Sequence, residues 1–185
     1  MARTVAVLIG SLRKASLNRK LAEALMARAA PELTFQVVEL GDMPLYDPDL
    51  EDAGPPAAWT AFRRQIASAD ALLFVTPEYN RSVPAALKNA LDVGSRPMGA
   101  SVWNGKPGAI VTGSPGAVGG FGANHHLRQS LVFLNVPTMQ QPEAYIGGLG
   151  KLFDDAGNVA TEATGEFLTK IMAAFAAWIE RNAAP

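Results

Sequence analysis

The chain has 185 residues, 49% apolar and 18% charged, a globular composition that excludes a disordered polypeptide. Sixteen basic against seventeen acidic side chains leave a formal charge of −1, so no basic excess marks a nucleic-acid or anionic-membrane surface. There is no cysteine, which removes disulfides, thiolate catalysis and cysteine-held metals and suits a reducing compartment.

A chain of this length most simply makes one domain over 1–185, able to bury roughly 70% of its unfolded surface. Its first apolar run, "TVAVLIG" (4–10), is short, continuous and ends in Gly10, as a strand buried on both faces would be. That run is too short for the core of a signal peptide, and no stretch approaches the ~20 apolar residues of a membrane span, so a cytoplasmic protein is expected. Leu17, Leu21, Ala24 and Leu25 then form a helical stripe that stops before Pro31. "LTFQVVEL" (33–40) is a second strand, followed by a Pro- and Asp-rich loop over 41–56 that reads as irregular.

Trp59, Phe62 and Ile66 mark the next helix, and "ADALLFV" (69–75) a third strand. Leu87 and Leu91 lie four apart in a helix that Pro84 can begin. "PGAIVTG" (107–113) is a fourth strand, Leu127, Leu131 and Leu134 share one helical face, and "PTMQ" (137–140) reads as a short fifth strand. "FDDAGNVA" (153–160) reads as a turn, and Phe167 through Ile179 as a long amphipathic helix. Strands alternating with crossover helices predict an α/β fold, doubly wound, with a five-stranded parallel sheet and helices on both faces. Ligands in such folds bind beyond the carboxyl ends of the strands where strand order reverses, so the segments after strands 1, 3 and 4 matter most.

The first of these, "GSLRKASLNRK" (10–20), offers Ser11, Arg13, Ser16 and Asn18 beside the free N–H groups of a helix start. Together they suit a phosphate dianion; read alone, the segment is equally a helix capped by Ser16 with solvated arginines. A P-loop is excluded, because the "GK" pairs at 105–106 and 150–151 are followed by Pro107 and Leu152. A dinucleotide fingerprint is excluded too, because Gly10 is followed by Ser11, Leu12 and Arg13. The second segment, "PEYNRSVP" (77–84), packs a carboxylate, a phenol, an amide and a guanidinium between two prolines, which is more chemistry than a turn needs. On its own it also admits a packed Tyr79 and a solvated Glu78. The third, "GSPGAVGGFG" (113–122), has five glycines in ten residues, fitting either close approach to a planar ligand or a flexible connection. His125 and His126 are adjacent, point apart on a helix and make a poor metal pair, so no metal site is expected.

"GSLRKASLNRKLA", "TPEYNRSVPAALKNALD" and "GSPGAVGG...HHLRQSL" together resemble the NADPH-dependent FMN reductase family, and within it the flavodoxin-like quinone and chromate reductases. The resemblance covers nearly the whole chain and implies a flavodoxin-like sheet of order 2-1-3-4-5. It also implies FMN as bound cofactor, with NADPH or NADH as electron donor. By matching position, it places Ser11, Arg13, Ser16, Leu17 and Asn18 on the phosphate, and Pro77, Glu78, Tyr79, Asn80, Arg81 and Ser82 along the flavin ring. Ser114, Pro115 and Gly116 fall in the loop that reaches the ring from strand 4.

Hydride then passes through the flavin to small-molecule acceptors by a ping-pong exchange. Quinones come first among them, with chromate, azo and nitro compounds or free flavin as further candidates. FMN carries the chemistry, so no catalytic triad is expected, while Tyr79, Asn80 and Arg81 shape the substrate face. Relatives form dimers or dimers of dimers, so a homodimer or homotetramer is implied, with the helix around Leu127 to Leu134 as interface or core. Where the family usually has Trp after "LKNALD", this chain has Val93. The competing readings are a flavodoxin-like electron carrier, which the near-neutral charge and "SLRKAS" disfavour, and a regulatory flavin-binding module.

Overall fold

The structure, a computed structural model, describes residues 2–182. Five strands, β1 (Arg3–Ile9), β2 (Leu33–Val38), β3 (Ala71–Thr76), β4 (Gly108–Gly113) and β5 (Ala144–Ile146), form one sheet in the order β2-β1-β3-β4-β5. All four pairings are parallel, for example Val7 beside Val37 and Leu73, and Phe74 beside Ile110. This is the expected flavodoxin-like order, and it reverses between β1 and β3.

The alternation of side chains along each strand builds two cores. Val5, Val7 and Ile9 of β1, Leu73 and Val75 of β3 and Val111 of β4 face α1 (Leu17–Met26) and α6 (Glu162–Asn182). Ala6 and Leu8, Leu72 and Phe74, and Ile110 face α3 (Ala57–Ala67), α4 (Ala85–Gly94) and α5 (Phe121–Phe133) on the other side. Both faces are covered, which is why β1, β3 and β4 read as continuous apolar runs. Trp103, fully buried against Phe62 and Phe74, lies so close to Gly94 that a Cβ there would come within 2.5 Å of its ring. Its indole N–H donates to Leu91 O at 3.1 Å. Indole thus fills the space beside α4, next to a fully buried Val93.

Two expectations need correction. "PTMQ" is not the fifth strand: Thr138 makes one isolated bridge to Gly108, and β5 lies six residues further on, pairing Val111 to Gly113. Pro137 lacks an N–H for the ladder, and the half-polar "TMQQP" continues into Pro142, whereas Ala144 and Ile146 bury their side chains. The segment 41–56 is not wholly irregular, because α2 (Pro48–Asp52) forms within it. Asp47 caps α2 by accepting from Asp49 N–H, and Pro48 occupies its first turn. Arg63 of α3 holds α2 in place through a two-pronged ion pair with Glu51 while its Nε donates to Val93 O. That guanidinium keeps the Glu51 carboxyl below its usual range, chiefly by hydrogen bonding.

Candidate functional site

At the reversal point, β1 and β3 deliver their loops side by side. Gly10 N–H donates to Val75 O at 3.0 Å, and a Cβ on Gly10 would stand 2.1 Å from Thr76 Oγ1. The glycine is required by close packing of the two strand ends. Ser16, buried, caps α1: its hydroxyl accepts from Arg19 N–H at 3.1 Å. Among the described residues, the N–H groups of Leu17 and Asn18 have no protein partner and open the helix toward the cleft. Arg13 is exposed beside them and makes no ion pair with a described residue, whereas Arg19 is paired with Glu39. Asn18 is 5% exposed; its Nδ2 donates to Gly113 O at 3.1 Å, but its buried Oδ1 has no partner. A buried acceptor left unpaired costs about 1–3 kcal/mol, so Oδ1 is free to accept from a donor entering the cleft.

The loop after β3 is a miniature hairpin. Tyr79 and Ser82 exchange both backbone hydrogen bonds, at 3.0 and 2.9 Å, around Asn80 (φ 50°) and Arg81 (φ 64°). Two consecutive left-handed residues make the mirror-image turn that hairpins prefer; Asn suits its first position, and Arg81 occupies the second, where Gly is usual. The hairpin pushes Tyr79 out, half exposed, so it is not a packed core residue. Glu78 turns inward: its side chain is 12% exposed and meets Arg81 Nη1 at 3.3 Å and the N–H of Ala123 at 3.1 Å. In the loop after β4, Ser114 is fixed at both backbone groups, to Ile146 O and from Leu149 N–H, and its hydroxyl accepts from Gly116 N–H.

Ser11, Arg13, Ser16, Leu17, Asn18, Pro77, Glu78, Tyr79, Ser114 and Pro115 therefore surround one cleft of about 190 Å³. Asn80, Arg81, Ser82 and Gly116 do not line it. Ser82 instead accepts or donates at His126 Nδ1, 3.0 Å away, and lines a neighbouring groove with His126 and Phe133. Gly113 and Leu149 complete the cleft and were not among the sequence candidates. Gly113 could have been found as the last residue of the fourth strand, while Leu149 carried no signal, being a lone apolar residue in a Gly-rich stretch. His125 is held by Tyr145 Oη at 3.1 Å and lies against Phe121 with the rings tilted by 43°, and burial, reinforced by Glu143, raises the Tyr145 phenol above its ordinary range. Among the described residues no group of three potential metal ligands stands together. A wider groove of about 620 Å³ runs between Arg28, just past the C-terminal end of α1, and the start of α6, but among the described residues no buried unpaired donor or acceptor lines it.

Enclosed volumes for whole small-molecule ligands run to about 300–1,000 Å³, so this cleft of about 190 Å³ is too small to enclose one entirely. A model of the NADPH-dependent FMN reductase family matches residues 3–150. The chain belongs to that family. As a family member it is an oxidoreductase, so the carrier and regulatory readings fall away. A quinone reductase of Pseudomonas putida is 58% identical over 181 residues, 98% of this chain and 97% of that protein. A 2-hydroxy-1,4-benzoquinone reductase of a Burkholderia species is 48% identical, covering 97% of each chain. Among solved structures, FerB, a flavoenzyme NAD(P)H:(acceptor) oxidoreductase from Paracoccus denitrificans, superposes with a TM-score of 0.93 at 41% identity. That superposition covers 98% of this reductase and 100% of FerB. No helix of the described residues is long and apolar enough to cross a membrane.

Proposed function

We propose that this reductase works as one domain that binds FMN across the three loops and passes hydride from NADPH or NADH to quinones. The observation that carries the reading is the cleft at the β1/β3 reversal, where two unpaired helix N–H groups, Arg13 and the orphaned Asn18 Oδ1 converge. A phosphate dianion answers the N–H groups and the guanidinium, and a hydroxyl of a sugar-alcohol chain answers Asn18. Ser11 and Ser16 supply further short polar groups at the phosphate end. Bound flavin supplies the hydride acceptor and donor, so the chain needs no nucleophile or acid–base triad of its own.

The remaining residues position and admit. Pro77 restricts the loop backbone, Tyr79 presents a flat half-exposed wall, and Ser114, Pro115 and Gly116 bring main chain to the ring from the other side. Asn80 and Arg81 stand at the hairpin tip, where the guanidinium, 78% exposed, attracts an anionic donor or acceptor. Donor and acceptor take turns at this opening, the oxidised nucleotide leaving before the quinone enters, so initial-rate plots against both substrates should be parallel. The quinone and benzoquinone reductases among the relatives support the acceptor class. The lack of cysteine suits a cytoplasmic location, which cell fractionation tests.

An absorption spectrum of the purified protein, followed by anaerobic NADPH and then benzoquinone, tests the whole reading. Yellow colour that bleaches and returns is expected; a protein that stays colourless and refuses added FMN overturns it. We also propose a homodimer or dimer of dimers. Leu127 and Leu131 are core, but Val132, Phe133 and Met98 are 75, 83 and 80% exposed and form the apolar surface such an assembly would cover. Light scattering at micromolar concentration should show two or four copies, and a monomer refutes the assembly.

A further inference from the structure

Helix α5 starts without a cap of its own. Gly120 stands at its N-cap in the left-handed region (φ 81°) and offers no side chain. The acceptor comes from a different loop: Glu78 Oε2 takes the Ala123 N–H at 3.1 Å, while its other oxygen meets Arg81 Nη1. A carboxylate at a helix start is favoured both by the orphan N–H and by the helix dipole. Space is reserved for it, since a Cβ on Gly122 would stand 2.9 Å from Glu78 Oε2 and 2.7 Å from Arg81 O. One turn further along α5, His126 Nδ1 meets Ser82 Oγ at 3.0 Å. The hairpin 78–82 is thus seated on two consecutive turns of α5.

We propose that Glu78 is a positioning residue, whose carboxylate serves the start of α5 and thereby sets where Tyr79 and the hairpin backbone meet the flavin. This rests on the FMN reading above and deepens it. Glu78 has its body on the wall of the cleft and its charged end directed away, into the helix. The latch joins the loop of β3 to the helix after β4, so two walls of the site move as one. Without it, the hairpin is held at that turn by its own two backbone bonds and by Ser82 alone.

The test uses purified protein titrated with FMN, read by flavin fluorescence, by the visible spectrum at saturation and by melting of the FMN-free protein. Glu78→Ala should raise the FMN Kd about tenfold, the loss of roughly one charged hydrogen bond, and shift the saturated flavin's absorption bands. Glu78→Gln, whose amide oxygen accepts the same N–H, should stay within about threefold of wild type. Gly122→Ala, which crowds the intact carboxylate and also the Arg81 carbonyl, should weaken FMN at least as much as Glu78→Ala, and with Glu78→Gln it carries the test if the alanine variant does not fold. Lower melting with unchanged Kd and spectrum overturns the inference, leaving only a stabilising cap. Equal weakening in Gln and Ala overturns it in favour of a direct effect of charge on the flavin. A wild type that takes up no FMN overturns the underlying flavin reading, an outcome distinct from either.

Discussion

Replacing Asn18 by leucine should separate the stability of the protein alone from its hold on FMN. Leucine keeps the shape of the buried side chain and removes both polar atoms. In the FMN-free protein it removes the orphaned Oδ1, a gain of about 1–3 kcal/mol, and the 3.1 Å bond from Nδ2 to Gly113 O, whose buried carbonyl loses that donor at a cost also of about 1–3 kcal/mol. The two terms are of one size and opposite sign, so the FMN-free variant should lie within about 1 kcal/mol of wild type. On the proposed reading an FMN hydroxyl partners Oδ1, so the variant loses that bond and leaves the hydroxyl unpaired. A loss of about 2 kcal/mol corresponds to roughly thirtyfold in Kd. At FMN one hundred times the wild-type Kd, ligand adds about 2.7 kcal/mol to wild type but only about 0.9 kcal/mol to the variant. Urea unfolding followed by tryptophan fluorescence, with and without FMN, reads both quantities. A variant destabilised by more than about 1 kcal/mol without FMN, with an undiminished gain on adding it, would show that Asn18 serves the sheet and not the ligand.

Three further perturbations probe the frame. Gly10→Ala drives a methyl group to 2.1 Å from Thr76 Oγ1 and should cost about 1–3 kcal/mol in urea unfolding, because both atoms belong to packed strand ends; no loss would mean the strands have slack. Glu51→Gln should cost about 1–2 kcal/mol at pH 7. Glu51 has a lowered carboxyl pKa in the fold, so its contribution is present above the unfolded value and fades as pH falls through the folded one. The gap between wild type and variant should therefore close in acid, and a gap constant with pH refutes the ion pair's role. Arg81→Gly relieves a left-handed residue worth about 1–2 kcal/mol, set against about 0.5–1 kcal/mol of extra freedom in the unfolded chain. It should leave stability unchanged or up to about 1.5 kcal/mol higher while raising the donor's KM, whereas Arg81→Ala keeps the strain; a clear loss in the glycine variant would show that the guanidinium matters more than the turn.

The centre of the sheet was legible because β1, β3 and β4 are buried on both faces and so appear as apolar runs ended by Gly or Pro. The same physics hid β5. A three-residue strand at the sheet edge needs only Ala144 and Ile146 inward, too few residues to stand out from "PTMQ", whose β-branched and apolar residues mimic a strand while its flanking prolines forbid one. Helix α2 was hidden for a different reason. None of its residues is buried, so no apolar period exists to read, and it is held by its Asp47 cap and by Arg63 from another helix.

The site divides along the same line. Residues that line the cleft through local geometry, such as the cap Ser16 and the start of α1, are determined by spacing within one loop and can be read in sequence. Residues that act through a partner far along the chain cannot. Glu78 and Ala123 are 45 positions apart, and nothing in either segment announces that a carboxylate in one completes a helix in the other. The signal that existed was negative: a helix start at Phe121 preceded by two glycines, with no Ser, Thr, Asp or Asn to cap it. A buried helix start needs an acceptor, so an uncapped one at a strand end requires a carboxylate or amide from a neighbouring loop, and "PEYN" was the polar segment that parallel order brings beside it.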